Sequence, residues 1–213
     1  DTIKEKLSAI PVPVQIPIGS EDRFEGVIDL IANKALIYGI GLGESYTTQD
    51  IPDDLKDDAA QWREALIEKA CEFDDELMAK YLDGHEPTAS ELNRALRKGT
   101  LSLSINPVFC GSAFKNKGVQ PLLDGVVEYL PSPLEVPPVE GHDPEDESKI
   151  IKCKTDFEEP VVSLAFKVAA DAFAGSLTFI RVYSGVLESG KAYLNPRLGK
   201  RERVQKIVKM HAN

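Results

Sequence analysis

Apolar residues alternate with polar residues or prolines near the start of the chain, as they do in a half-buried β-strand. Residues 12–19, VPVQIPIG, place valine or isoleucine at every second position. Residues 24–31 and 34–40 predict two further strands, after which closely spaced glycines end the pattern. Because the two prolines of the first stretch cannot donate to a β-ladder, we expect that strand at the edge of its sheet.

Helical spacing of apolar residues replaces this alternation in the middle of the chain. It predicts helices over residues 52–70, 74–84 and 88–99. In the last of these, Thr88 precedes Glu91 by the spacing of a capping box, so the helix is expected to begin there. The glycine at its other end is expected to close it.

Strand character returns at residues 101–113, and a helix with one wide apolar stripe is predicted over residues 119–130. Prolines and an acidic, apolar-poor run then predict an exposed linker over residues 131–150. Short strands without intervening helices follow, which favours an antiparallel barrel or sandwich; they cover residues 161–169, 176–185, 191–196 and 203–210. These strands are few for a closed barrel, so we expect a barrel that is cut short.

The composition is that of a soluble globular protein, with 42% hydrophobic and 28% charged residues. No apolar run approaches the roughly 20 residues that span a bilayer, and the first residues lack the order of a signal peptide. The absence of an initiator methionine suggests an internal piece of a longer protein. Three cysteines and three histidines are scattered without metal-ligand spacing, so we predict no metal site and thiols kept reduced in the cytoplasm.

The net charge of −10 is unevenly distributed along the chain. Residues 151–213 carry 11 Lys/Arg against 6 Asp/Glu, whereas residues 1–150 carry 14 against 29. This division suggests two units with different electrostatic partners, the first repelling phosphate backbones and the second able to approach them. Two ordinary solvated surfaces would also explain it.

Two glycine-bounded stretches are candidates for nucleotide chemistry. GVLESGKA, residues 185–192, matches the P-loop pattern except that Ala192 replaces the hydroxyl residue. No helix pattern follows it, and Ser189–Gly190 is predicted to be the tip of a β-hairpin instead. GSAFKNKG, residues 111–118, lies between a predicted strand and a predicted helix. Its small residues would let a backbone approach a flat ligand closely, although a plain strand-to-helix turn fits the same residues.

Three blocks of the chain, in the same order, resemble elongation factor G, a translational GTPase family. CGSAFKNKGVQPLLDGVVEYLPSP is similar to its fifth guanine-nucleotide motif and the following helix, and VPVQIPIGSEDRFEGVIDLI to the start of the subdomain inserted in its GTPase domain. AFKVAADAFAGSLTFIRVYSGVLESG and LGKRERVQKIVKMHAN resemble the opening of its second, barrel domain.

The resemblance implies an α+β inserted subdomain at about residues 12–100, carried by the terminal strand and helix of an α/β GTPase domain at 101–130. Residues 1–130 would then be the C-terminal part of the GTPase domain, 131–150 a linker, and 151–213 a partial antiparallel β-barrel. In the family the parent protein hydrolyses GTP with Mg²⁺ while it moves transfer RNA and messenger RNA through the ribosome.

The family motif implies that the backbone at Ser112 and Ala113 helps to read the guanine base, with Lys115 packing beside the base or the loop. The sequence contains neither a P-loop nor an NKxD motif, so no catalytic or metal-binding residue is assigned. We therefore expect the chain alone neither to bind nor to hydrolyse GTP.

The resemblance also implies two ribosomal contacts. The acidic helical part, residues 44–100, would meet the stalk protein of the large subunit, and a basic cluster in the barrel would approach ribosomal RNA, namely Lys200, Arg201, Arg203, Lys206 and Lys209. Two function classes stay open: part of a translocase, or part of a relative that docks on ribosomes for protection, recycling or release-factor removal. A pure ribosome-docking module is a variant of the second.

Overall fold

The computed structural model describes residues 2–39, 41, 43, 45–143, 145–146, 148–171 and 175–209. Some predicted positions lie outside the described residues: Ile40 of the strand predicted over residues 34–40, Glu44 of the acidic part, Pro144 and Glu147 of the predicted linker, and Met210 of the last predicted strand. The chain divides into two compact units, Asp1–Pro131 and Ser132–Asn213.

A four-stranded antiparallel meander forms the sheet of the first unit. After helix α1 (Thr2–Leu7) and strand β1 (Pro11–Pro13), the meander consists of β2 (Gln15–Ile18), β3 (Gly26–Asp29), β4 (Lys34–Tyr38) and β5 (Tyr46–Gln49), in that spatial order. Strand β2 lies at the edge, where Pro17 needs no ladder partner on its outer side, so the predicted edge position is confirmed. The first predicted strand is divided in two, because β1 pairs elsewhere.

Four helices complete the first unit. They are α2 (Lys56–Cys71), α3 (Asp75–Leu82), α4 (Ala89–Leu101) and α5 (Val119–Tyr129), with strand β6 (Asn106–Val108) between the last two. Strand β6 pairs in parallel with β1, so that Val12 lies opposite Pro107. This short parallel pair positions the segment that leads from β6 into α5.

The core of the first unit lies between the sheet and the helices. Its fully buried side chains include Ile28, Leu30, Leu66, Leu77, Leu92, Leu96 and Ile105. Arg63 is buried beside them, and its guanidinium donates to the carbonyls of Leu30 and Ile31 and to Glu86. A buried charge is tolerated only with such partners, and here they join α2 to the end of β3.

The capping box predicted at Thr88 is present, with the Thr88 hydroxyl accepting from the Glu91 amide and Glu91 accepting from the Thr88 amide. The sequence predicted that Gly99 ends this helix, and that prediction is wrong, since α4 continues to Leu101. Gly99 lies inside α4 because the helix packs there against Ile105 and Phe73, which a β-carbon at residue 99 would meet at 2.8 and 2.9 Å. The strand predicted from residue 101 is correspondingly shortened to β6.

The second unit consists of three antiparallel hairpins in the described residues. They pair β7 (Val139–His142) with β8 (Ile150–Cys153), β9 (Val162–Asp171) with β10 (Gly175–Ser184), and β11 (Ala192–Asn195) with β12 (Lys200–Arg203). Strand β12 ends at Arg203, so residues 204–209 do not form the strand that the alternation predicted. Apolar side chains such as Phe166 and Val168 are more than half exposed on the long hairpin.

The chain as described is a mixed α+β protein with several antiparallel sheets, and none of these sheets is closed. Among the described residues, no helix is both long and apolar enough to cross a bilayer.

Candidate functional site

The segment between β6 and α5 folds into a narrow turn, here called the 111–118 loop. The amide of Ser112 donates to the carbonyl of Lys117 at 2.8 Å, and the Lys117 amide returns a bond to Ser112 at 3.0 Å. Inside this pair, the Asn116 amide donates to Ala113 at 3.1 Å. The loop therefore holds a defined conformation through its own backbone.

The glycines at both ends of the loop allow the strand end and the helix start to approach. At Gly118, which caps α5 with a φ of 83°, a β-carbon would lie 2.6 Å from the carbonyl oxygen of Cys110. At Gly111 it would lie 2.8 Å from the carbonyl oxygen of Lys117. Any side chain at either position would force the loop open.

The tip of the loop presents backbone donors to solvent. Ser112 is half-buried, Ala113 is exposed, and Phe114 is 98% exposed. Within the described part of the chain, the amides of Ala113 and Phe114 donate to no protein acceptor. The sequence-based assignment missed Phe114, although an apolar residue directly after the small pair Ser112–Ala113 was a visible signal.

Lys115 points away from this tip. Its ammonium group donates to the carbonyl of Asp22 at 3.0 Å and to that of Glu21 at 3.4 Å. Lys117 makes a similar contact, since its ammonium group donates to the carbonyl of Phe24 at 3.2 Å. The structure thus brings Ser112 and Ala113 together at the exposed tip and places the Lys115 ammonium on the turn between β2 and β3.

The base of the loop is anchored on strand β2 through Cys110. The Gln15 side chain is buried, and its Oε1 accepts from the Cys110 amide at 3.3 Å, while the Cys110 thiol donates to the Gln15 carbonyl at 3.4 Å. Burial raises the pKa of the Cys110 thiol. This cysteine therefore acts as a packed, hydrogen-bonded anchor rather than a thiolate nucleophile.

The near-match to a P-loop has no P-loop architecture. Strand β10 ends before Gly185, and the residue pair Ser189–Gly190 forms a turn that leads into strand β11 rather than into a helix. The predicted hairpin tip is wrong, because β10 pairs with β9 and β11 pairs with β12. The Lys191 ammonium group lies 2.7 Å from Glu188. No helix N-terminus is present here to receive a phosphate.

The acidic turn that opens α2 is a solvated surface. Asp53, Asp54, Asp57 and Asp58 are all exposed, and the hydrogen bond from Lys56 lowers the pKa of Asp53. In the part of the chain that the structure describes, no three His, Cys, Asp or Glu side chains are grouped for a metal ion. Trp62, which is 46% exposed, lies on the same helix.

The basic cluster of the second unit is exposed along its whole length. Lys200, Arg201 and Arg203 belong to strand β12, whereas Lys206 and Lys209 follow it outside any strand. Arg203 donates to the carbonyl of Gly190 at 2.9 Å, which ties it to the turn before β11. The cluster therefore presents positive charge from one hairpin and the segment that follows it.

Sequence similarity to a curated protein extends over the entire chain. No family model matches it. It is 60% identical to elongation factor G 1 of Bdellovibrio bacteriovorus, in an alignment that covers 100% of this chain and 30% of that protein. A crystal structure of a protein from Thermus thermophilus matches with a TM-score of 0.66 and 27% identity, over 89% of this chain and 25% of the other.

The chain thus spans about a third of the length of the curated relative that it matches. Identity of this extent, over every element from α1 to β12, confirms the resemblance that the three sequence blocks indicated. The chain belongs to the elongation factor G family, of which it represents a segment.

Proposed function

We propose that the whole protein is a GTP-hydrolysing elongation factor that moves transfer RNA and messenger RNA through the ribosome, and that this chain supplies its guanine-facing loop. The observation that carries the proposal is the 60% identity to elongation factor G 1 over all 213 residues. The loop is included in that match. The protein would work in the cytoplasm, where ribosomes are.

The 111–118 loop has the properties that recognition of a purine edge requires. The Ala113 amide makes no bond within the described chain, so it can donate to an oxygen of the guanine base without breaking an existing contact. The small side chains of Ser112 and Ala113 allow a flat ring to approach, and the exposed ring of Phe114 offers an apolar surface beside them. GTP or GDP therefore fits this tip through its base.

The chain alone lacks the other half of such a site. A few backbone hydrogen bonds contribute on the order of 1 kcal/mol each, whereas millimolar affinity already needs about 4 kcal/mol. The sequence holds no P-loop to grip phosphates, and Mg²⁺ in the whole protein would be held with those phosphates. We therefore expect no measurable GTP binding or hydrolysis by these 213 residues.

A titration with a fluorescent GDP analogue tests both the guanine-facing role of the loop and the absence of binding by the isolated chain. The full-length protein is expected to bind it, and the isolated chain is not. In the full-length protein, Ala113→Pro removes the amide donor and is expected to weaken binding by about tenfold or more. Ala113→Gly keeps the donor and serves as the matched control. Equal affinity of the full-length wild type, Ala113→Pro and Ala113→Gly would show that the loop does not face the base.

We further propose that the outer face of α2 contacts the stalk protein of the large ribosomal subunit. Exposed carboxylates would speed the encounter with a basic partner, and the exposed ring of Trp62 could anchor the contact. Binding should weaken as salt is raised, and Trp62→Ala should weaken it at every salt concentration. Affinity that is the same at low and high salt would contradict the electrostatic contribution.

The hairpins of the second unit would be the first strands of a β-barrel that faces ribosomal RNA. Exposed apolar side chains on β9 and β10, including Leu164, Phe166 and Val168, support this because further strands would cover them. The basic cluster at residues 200–209 supports the RNA contact. The alternatives, a ribosome-docking relative that does not translocate or a pure docking module, are not favoured, since the match is to an elongation factor.

A further inference from the structure

The four-stranded sheet contacts the 111–118 loop through the connections at one of its ends. In an antiparallel meander, the β2–β3 turn (residues 19–25) and the β4–β5 turn, described at residues 39, 41, 43 and 45, lie at the same end, and the β3–β4 turn lies at the other. Both turns of the first end contact the loop or the helix that follows it. The loop therefore rests on the sheet rather than standing free in solvent.

Two lysines make the contact with the β2–β3 turn. The Lys115 ammonium group donates hydrogen bonds to the carbonyls of Glu21 and Asp22, and it lies 3.7 Å from the Asp22 carboxylate. The Lys117 ammonium group takes the carbonyl of Phe24 at 3.2 Å. The Glu21 and Asp22 carbonyls belong to a short 3-10 helix and the Phe24 carbonyl directly follows it, so the two ammonium groups add donors at its end as a C-terminal cap would; the Glu21 carbonyl also accepts from the Phe24 amide.

The β4–β5 turn supports the loop from its other side. A β-carbon at Gly43 would lie 2.2 Å from the carbonyl oxygen of Asn116, which shows how closely the two backbones pass. The Gln120 amide donates to the Gly43 carbonyl at 2.8 Å, and its oxygen accepts from the Tyr38 hydroxyl at 3.1 Å. Sheet, loop and the first turn of α5 thus form one connected set of contacts.

We propose that Lys115 and Lys117 are positioning residues that fix the guanine-facing tip through the β2–β3 turn and so couple nucleotide affinity to the sheet. This inference rests on the proposed function. Both ammonium groups bind protein carbonyls, whereas the Ala113 and Phe114 amides at the tip are unbonded in the described chain. A loop held in place loses less conformational entropy when the base binds. By linkage, a base bound at the tip must in turn stabilise the β2–β3 turn.

The test uses the full-length protein with lysines 115 and 117 both replaced by methionine, which keeps the aliphatic chain and removes the donors. We expect the dissociation constant for a fluorescent GDP analogue to rise about tenfold, mainly through faster release. Replacement of both lysines by arginine, which can still donate to carbonyls, should restore most of the affinity. Lys69→Met, which removes only an ion pair to Glu72 on α2, is the matched control and should change nothing.

Hydrogen exchange with and without GDP supplies the readout that a general loss of stability would not give. In the wild-type protein, GDP should slow exchange at residues 19–25 as well as at the loop, and the double methionine variant should lose the protection at 19–25 only. Unchanged affinity in that variant overturns the inference and leaves the proposed function intact. Weaker binding with protection at 19–25 retained also overturns it. If Ala113→Pro leaves the affinity for the GDP analogue unchanged, that result would instead refute the proposed function.

Discussion

Gly125→Ala separates helix propensity from packing at the base of the candidate site. Gly125 is buried in the middle of α5, where alanine would stabilise an isolated helix by about 1 kcal/mol. In the structure, however, its β-carbon would lie 2.2 Å from Cζ of Phe109 and 2.8 Å from two further ring atoms. Phe109 leads directly into Cys110 and the loop, and its ring packs against Tyr129 at a centroid distance of 6.2 Å.

We expect the packing cost to exceed the gain in helix propensity. Overfilling a packed interior costs about 1–3 kcal/mol and ordinary contact would require the ring to move by more than an ångström, so we expect a net destabilisation of about 1 kcal/mol. In urea, the midpoint should fall by about 0.5 M. Trp62 is the only tryptophan and belongs to the first unit, so its fluorescence follows unfolding of that unit in the 213-residue chain.

Two controls make the result decisive. Asp124→Ala changes a neighbouring exposed position of α5, where alanine gains helix propensity without meeting a ring, and should leave the midpoint unchanged or slightly higher. Phe109→Leu combined with Gly125→Ala should recover part of the loss, because the smaller side chain frees the space. A midpoint for Gly125→Ala at or above that of the wild type would refute the packing explanation.

Three further predictions concern other parts of the chain. A hydrogen bond from Lys98 holds the pKa of the buried Asp74 carboxyl far below its usual range, so Asp74→Asn should cost about 1–3 kcal/mol at neutral pH. Because that pKa is lowered on folding, the wild type's advantage should shrink in urea melts as the pH falls below the ordinary aspartate range. Thr88→Ala removes the cap of α4 and should cost about 1 kcal/mol in the same assay, with Ser90→Ala as control. Replacing the basic residues of 200–209 by glutamine should weaken binding to ribosomal RNA and reduce its salt dependence in filter binding; an unchanged salt slope would contradict phosphate contact.

Local signals were sufficient for the elements with strong periodicity or caps. The α4 start at Thr88 follows from the capping box, and α5 follows from its apolar stripe. Strand β5 was not predicted, because Tyr46–Gln49 is polar and three of its four residues are exposed, so alternation has nothing to mark. The parallel pairing of β1 with β6 joins residues almost a hundred positions apart, and no local pattern encodes such a contact.

The candidate site was accessible to sequence reasoning only in part. The glycines and small residues of the 111–118 loop marked where a ligand could approach. The destinations of the Lys115 and Lys117 side chains could not be foreseen, because they are carbonyls of a turn about ninety residues earlier in the chain. A lysine in a loop has the same sequence signature whether it meets a ligand, a carbonyl or water.

The proposed function requires that the 111–118 loop faces guanine in the whole protein. The direct measurement is a crystal structure of the full-length protein with bound GDP. We predict that the Ala113 amide nitrogen lies about 3 Å from an oxygen of the base, with the Lys115 ammonium still on the β2–β3 turn. A nucleotide bound elsewhere, with the 111–118 loop remote from the base, would contradict the account.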